Sequence, residues 1–266
     1  MSPHWDSKHR PGRGLFRVPL FVERLMKARE TASMLVEMHP GRVGRRQQVE
    51  AAPLDPGLRQ LRAWQAQRLA LTHADLLQHS RYRRACEFFL SDIYAPRNLS
   101  QRDHDLETVY NTIGSVMPPS MVDTLRQLVA LNTLTSKLDD LLLAVLVSDL
   151  GMTDRLTAAM YAEAYRRCDN YEQRRQQIEL IVAVGKGVEY LVHRPLVGTT
   201  LRLARKPAEW AGWADLQDFL ERGFAAFRQM ERAEAFLRTI ELREMHILDR
   251  IYERDPDPFR GDVPPE

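Results

Sequence analysis

Cysteine is scarce: the chain has two, Cys86 and Cys168. Neither belongs to a CxxC or a Cys/His cluster, so a disulfide framework is excluded and a structural zinc site is not expected. Two lone thiols fit a reducing compartment, and a cytoplasmic protein is expected. Long hydrophobic runs are missing as well. The longest, Leu141 to Val147, falls far short of the ~20 residues that a membrane-spanning helix needs. The opening residues are polar, without the apolar core of a secretory signal. No GxxxxGK[ST], GxGxxG or GxSxG sequence occurs, so P-loop, dinucleotide and hydrolase readings lack their signatures. Neither β-type alternation nor a fixed-period repeat is visible.

Metal signatures are equally thin. A di-iron helical bundle needs paired Glu-x-x-His motifs, and no Glu here has His three residues later. Glu189/His193, Asp75/His79 and His246/Asp249 have helix-compatible spacing, as a haem-oxygenase-like variant would require, but they read as caps or surface residues. Asp139-Asp140 begins a DDxxD motif that then places Leu143 where the third acid must be. These two acids read instead as first-turn residues of a helix, set against its dipole. No metal and no cofactor are expected.

What the chain does have is the make-up of a globular protein: 266 residues, 44% hydrophobic and 28% charged. That is enough to bury a core without staples. The net charge of +2 is unevenly spread. Ten of the 38 Arg/Lys and only five of the 36 Asp/Glu fall in residues 1–52, so the beginning is basic and the remainder slightly acidic. A nucleic-acid-binding core is therefore not expected.

Three regions follow: a basic flexible extension over 1–53, one helical domain over 54–253, and a disordered acidic, proline-rich tail over 254–266. Within the extension, residues 20–38 have some amphipathic character. They read as a weakly structured segment rather than a membrane-surface helix. The domain opens with Asp55-Pro56, an N-cap followed by proline at the first helical position. Helices are expected from there to His79, from Arg81 to Tyr94, and from Ser100 to Met117. Further helices are expected over 120–134, from Thr135 or Ser136 to Gly151, from Thr153 to Cys168, and from Asn170 to the Pro195 stop. Lys206-Pro207 marks a second break. The last helix, Ala214 to Glu253, is the longest. The fold class is all-α, a bundle of about seven to eight helices, up-and-down or orthogonal, with short connections.

The stretch Phe88-Phe89-Leu90-Ser91-Asp92-Ile93-Tyr94 draws notice. Tyr82, Cys86, Phe89 and Ile93 make one apolar stripe, widened by Phe88 and Leu90. A helix so apolar is packed on several sides, and it is expected to seat the first and third helices. The block from Leu58 to Tyr110 resembles a bacterial family named for a FFLEELY motif, which has no assigned activity. Phe88, Phe89, Leu90 and Tyr94 match the motif. Ser91 stands where its first Glu would be, Asp92 keeps the second acid in shortened form, and Ile93 replaces Leu. The resemblance implies a class of protein but carries no catalytic residues.

Chemistry is sought at the polar exit of this stretch. Asp103, Glu107 and Tyr110 share a helix face at i, i+4 and i+7. With Glu87, Tyr94 and Arg97 nearby, they form a candidate ligand site between the 88–94 and 100–110 helices. The last helix carries an anomaly. Its stripe Leu216, Phe219, Leu220, Phe224, Phe227, Met230 would next present Glu234, Arg238 and Glu241, while Leu237, Ile240, Ile247, Leu248 and Ile251 have rotated aside. Its distal half is expected to dock on another surface, such as a second copy in a homodimer. The functional expectation is a non-catalytic interaction or regulatory module with a protein partner. The alternative is a small-ligand-binding protein or enzyme using the polar site.

Overall fold

Asp55 opens the first helix as expected: its side chain accepts the Leu58 backbone N–H at 3.0 Å, and Pro56 follows at the first position. The computed structural model describes residues 54–93, 100–113 and 117–260. The extension over 1–53, with its 20–38 segment, and residues Tyr94 and Arg97 lie outside these. Among the described residues the protein is all-helical, without a strand. Ten α-helices follow in order: α1 (Pro56–Thr72), α2 (Ala74–Gln78), α3 (Arg83–Phe88), α4 (Ser100–Ile113), α5 (Pro119–Ser148), α6 (Ala158–Cys168), α7 (Tyr171–Val192), α8 (Val197–Trp210), α9 (Ala214–Met230) and α10 (Glu234–Tyr252). A π-helical turn, Phe89–Ile93, continues α3.

Ten helices rather than seven or eight result from where the breaks fall. The first expected helix stops at Thr72, and α2 begins after His73. In the other direction, Thr135 and Ser136 start nothing. They lie inside the 30-residue α5, where the leucine face Leu128, Leu131, Leu138, Leu142, Leu146 continues through them. The Thr135 hydroxyl accepts from Gln177 Nε2 at 2.8 Å instead of capping. Helix α6 starts at Ala158, with Thr157 as its cap (Met160 N–H to Oγ1, 3.2 Å). Pro207 sits within α8 rather than ending it.

The long C-terminal helix is two helices. At Glu231 the backbone takes φ 64° and ψ −59°, a tight positive-φ turn that breaks the run. Both exposed ends are satisfied by side chains: Arg81 Nε donates to the Met230 carbonyl at 2.6 Å, and Glu189 Oε1 accepts the Ala233 N–H at 2.8 Å. The rotated stripe is thus a new helix with its own face. Phe236 and Leu237 are fully buried, and Ile247, Leu248 and Ile251 nearly so, all within this chain. Each such burial is worth roughly 1.5–3 kcal/mol. The apolar face that suggested a second subunit is covered internally.

Helix α7 is the centre of the bundle, packing on α5, α8, α9 and α10. Gly185 allows α10 to come close: a Cβ there would lie 2.4 Å from Leu237 Cδ2. Three apolar clusters result. One joins α1, α5, α6, α7 and α10, a second joins α2, α3, α7, α9 and α10, and a third joins α4, α5 and α9. The Phe88–Phe89 pair faces α9 and α10, where Phe88 meets Phe219 at 5.3 Å and Phe89 lies 6.3 and 6.1 Å from Phe227 and Phe236, while the π-turn packs on α1 and Phe88 and Ile93 pack against the apolar face of α4.

The domain also extends beyond residue 253. Phe259 packs edge-on against Trp64 and Tyr161 at 5.5 and 5.9 Å, and Pro258 is buried. Arg250 holds this strap, donating to Asp255 Oδ2 at 2.8 Å and to the carbonyls of Asp257 and Arg260. A disordered tail from 254 onward therefore does not describe residues 254–260.

Candidate functional site

Four helices bring charged residues to the inside of the first cluster. Helix α1 contributes Gln65 and Arg68, α5 contributes Asp139, α7 contributes Arg174 and Gln177, and α10 contributes Glu244. His73 comes from the corner between α1 and α2, and Tyr161 and Tyr165 from α6. These side chains line part of a cavity of about 100 Å³. The rest of its wall is apolar, including Leu77, Phe89, Leu90, Ile181 and Ile240. A single water needs only ~10–15 Å³ of such space, so the cavity has room for more than an isolated structural water.

The charges are held in two sets. Glu244 takes two hydrogen bonds from Arg68, both at 2.6 Å, and a third contact from His73 Nε2 at 3.0 Å. Burial pushes the Glu244 carboxyl up, but Arg68 and His73 outweigh it and hold it at about 2. Burial likewise works against the Arg68 cation, and Glu244 more than restores it. The neighbouring Arg243 forks onto Asp75 (2.7 and 2.9 Å) and caps the Thr72 carbonyl at 3.1 Å, fixing the α1–α2 corner where His73 sits.

Asp139 belongs to the second set. It accepts from Gln65 Nε2 at 3.2 Å, and Arg62 Nε lies 3.7 Å away. Burial dominates here and raises its carboxyl above the ordinary range. Tyr161 donates to the Tyr165 hydroxyl at 2.8 Å, and burial raises the Tyr161 phenol well above its ordinary value. Trp64 stacks on Tyr161 with ring centres 4.1 Å apart, and the Arg174 guanidinium stacks over Tyr165 at 4.3 Å. The Cys86 thiol, also on the wall, is pushed up to about 12 by burial and is inert at neutral pH.

Several polar atoms on this wall are buried without a hydrogen-bond partner: Gln65 Oε1, Arg68 Nε, His73 Nδ1 and Arg174 Nε. Buried polar atoms are almost always paired, so four orphans on residues that line one cavity are an unusual concentration. Two are obligate donors, one is an acceptor, and the imidazole nitrogen can serve as either.

The site expected from the sequence lies elsewhere. Asp103 accepts from Arg102 (2.8 Å) and Asn132 (3.0 Å). Arg102 also reaches the Asp92 carbonyl and stacks over Phe219 at 4.4 Å, while Arg222 pairs with Asp92 at 2.5 Å. This network ties the π-turn, α4, α5 and α9 together. Glu87 and Glu107 are exposed, and Tyr110 packs in the third apolar cluster. None of Glu87, Asp103, Glu107 and Tyr110 lines the cavity. Asp139 is not a first-turn acid either, since it sits deep within α5.

A sequence signal for this cavity wall existed in α10. Leu237, Ile240, Glu244, Ile247, Leu248 and Ile251 fall on one helical face, so Glu244 interrupts an otherwise apolar stripe. The metal-like pairs are used otherwise. Glu189 caps α10, His193 Nδ1 contacts the Glu189 carbonyl at 2.8 Å, and Asp75 serves Arg243. Among the described residues no three His, Cys, Asp or Glu side chains gather as a metal site, and no helix is long and apolar enough to cross a membrane. No curated protein and no solved structure matches the chain. Residues 44–258 match a family model described as a domain of unknown function, and the chain belongs to that family, DUF8198.

Proposed function

We propose that this chain is a non-catalytic, ligand-binding regulatory module whose cavity between α1, α5, α6, α7 and α10 encloses a small organic molecule. The four unpartnered polar atoms on the cavity wall carry this reading. Binding rather than turnover is supported by the state of the wall: Glu244 is held ionised by Arg68 and a hydrogen bond to His73, and Cys86 is held protonated. The two free thiols support a reducing, cytoplasmic setting. The residues Phe88, Phe89, Leu90 and Tyr94 support kinship with the FFLEELY-motif proteins.

Native mass spectrometry of the full-length protein tests the reading. A bound small-molecule adduct is expected, lost on unfolding and lost in Ile240→Trp, which fills the apolar end of the cavity. A bare chain whose melting temperature no small-molecule panel moves would overturn it.

An interaction module is the second reading. It is favoured by the outer face of α8, where Leu203 is 58% exposed. Light scattering of the full-length chain across concentration tests self-association through that face, with Leu203→Glu expected to abolish it.

A further inference from the structure

Arg174 differs from the other buried arginines. Arg68, Arg102, Arg243 and Arg250 each meet a carboxylate, on Glu244, Asp103, Asp75 and Asp255 respectively. Arg174 is 3% exposed, yet its hydrogen bonds go to uncharged acceptors: the Leu138 carbonyl at 3.0 Å and Gln177 Oε1 at 3.3 Å. Its third neighbour is the Tyr165 ring, and its Nε–H is unpartnered. Among the described residues no carboxylate pairs with it. Asp139 acts on it only at longer range, and burial favours the protonated form of that acid. A guanidinium cannot shed its proton to escape burial. A buried cation without a counter-charge is strongly disfavoured, so the fold is incomplete in charge at this point of the cavity.

The cavity wall is polar on one part and apolar on another. Around Arg174 stand Tyr165, Gln65, Asp139 and Gln177, all buried. The apolar wall combines half-buried Leu77, Phe89, Leu90, Ile181 and Ile240 with buried Leu76, Phe236 and Leu248. One uncompensated positive charge calls for one negative charge. A free phosphate would bring two and could not cover the apolar wall. A volume of about 100 Å³ is of the order of engineered cavities that admit a benzene-sized body.

We propose that the ligand is an organic monoanion, a carboxylate on a short aliphatic or aromatic body, with its head on Arg174 and its body along Phe89, Leu90 and Ile240. Its carboxylate pairs with the Arg174 guanidinium. This inference rests on the cavity being a binding site, and it adds the class of molecule bound.

The test uses the full-length protein and matched probes: benzoate and hexanoate, benzamide and hexanamide, and inorganic phosphate. Titration calorimetry at neutral pH reads affinity. Each carboxylate is expected to bind at least tenfold more tightly than its amide, with phosphate silent. Arg174→Met is expected to abolish that preference while raising the melting temperature of the free protein, since it removes the uncompensated charge. A merely structural arginine would lower the melting temperature and leave the preference intact. Amides binding as well as acids would overturn the anion and leave the cavity reading standing. Phosphate binding alone would overturn the organic body. Silence from all probes, with no adduct on the native protein, would overturn both. Should Arg174→Met not fold, the acid-to-amide ratio on the unaltered protein decides the matter alone.

Discussion

Glu244 and Asp139 face one cavity but should respond oppositely to replacement. The Glu244 carboxyl sits at about 2 against an ordinary 4.5, so its stabilisation is complete above pH 4.5 and is lost as pH falls from there toward 2. The loss amounts to roughly 3 kcal/mol. Glu244→Gln leaves Arg68 buried beside a neutral side chain and should cost about 3–5 kcal/mol at pH 7, read by urea denaturation. Asp139 is raised instead. Its ionised form is disfavoured in the folded protein, so its cost appears as pH rises through its folded value. Asp139→Asn should therefore leave the midpoint at pH 7 unchanged or higher. A loss comparable to that of Glu244→Gln would show that the Arg62 and Gln65 contacts outweigh burial.

Among the elements, the approach of α10 to α7 is the tightest point. Gly185→Ala places a methyl group against Leu237, which is fully buried, and should cost about 1–3 kcal/mol. Leu237→Ala in the same chain makes room for it, so the double variant should be less unstable than the two single losses added. The helix start at Asp55 and the apolar stripe of α9 were legible in the sequence because caps and periodicity are local signals. The break at Glu231 was not, because its two stabilisers, Arg81 and Glu189, come from distant segments. The cavity wall was hidden for the same reason. Arg68, His73, Asp139, Arg174 and Glu244 are single polar residues on five separate segments, and no motif links them. Glu244 alone betrayed itself, as a charge within an apolar stripe.

At the scale of the whole molecule, the strap over 254–260 closes the end of the bundle where Trp64 and Tyr161 stack. A chain ending at Arg254 loses the Asp255 carboxylate from the nearly buried Arg250 and the Phe259 ring from Tyr161. It should lose about 3 kcal/mol or more, measured by denaturant titration.

The Cys86 thiol turns the cavity into its own clock. It is 6% exposed and protonated at neutral pH, so an alkylating reagent can react only when the cavity opens to solvent. Iodoacetamide labelling followed by mass spectrometry should be slow and independent of reagent at high concentration, because opening then sets the rate. Cys168, half-buried on α6, serves as the internal reference. A molecule held against Phe89 and Leu90 would slow the first thiol without slowing the second. Unequal slowing would therefore report occupancy before the occupant is known.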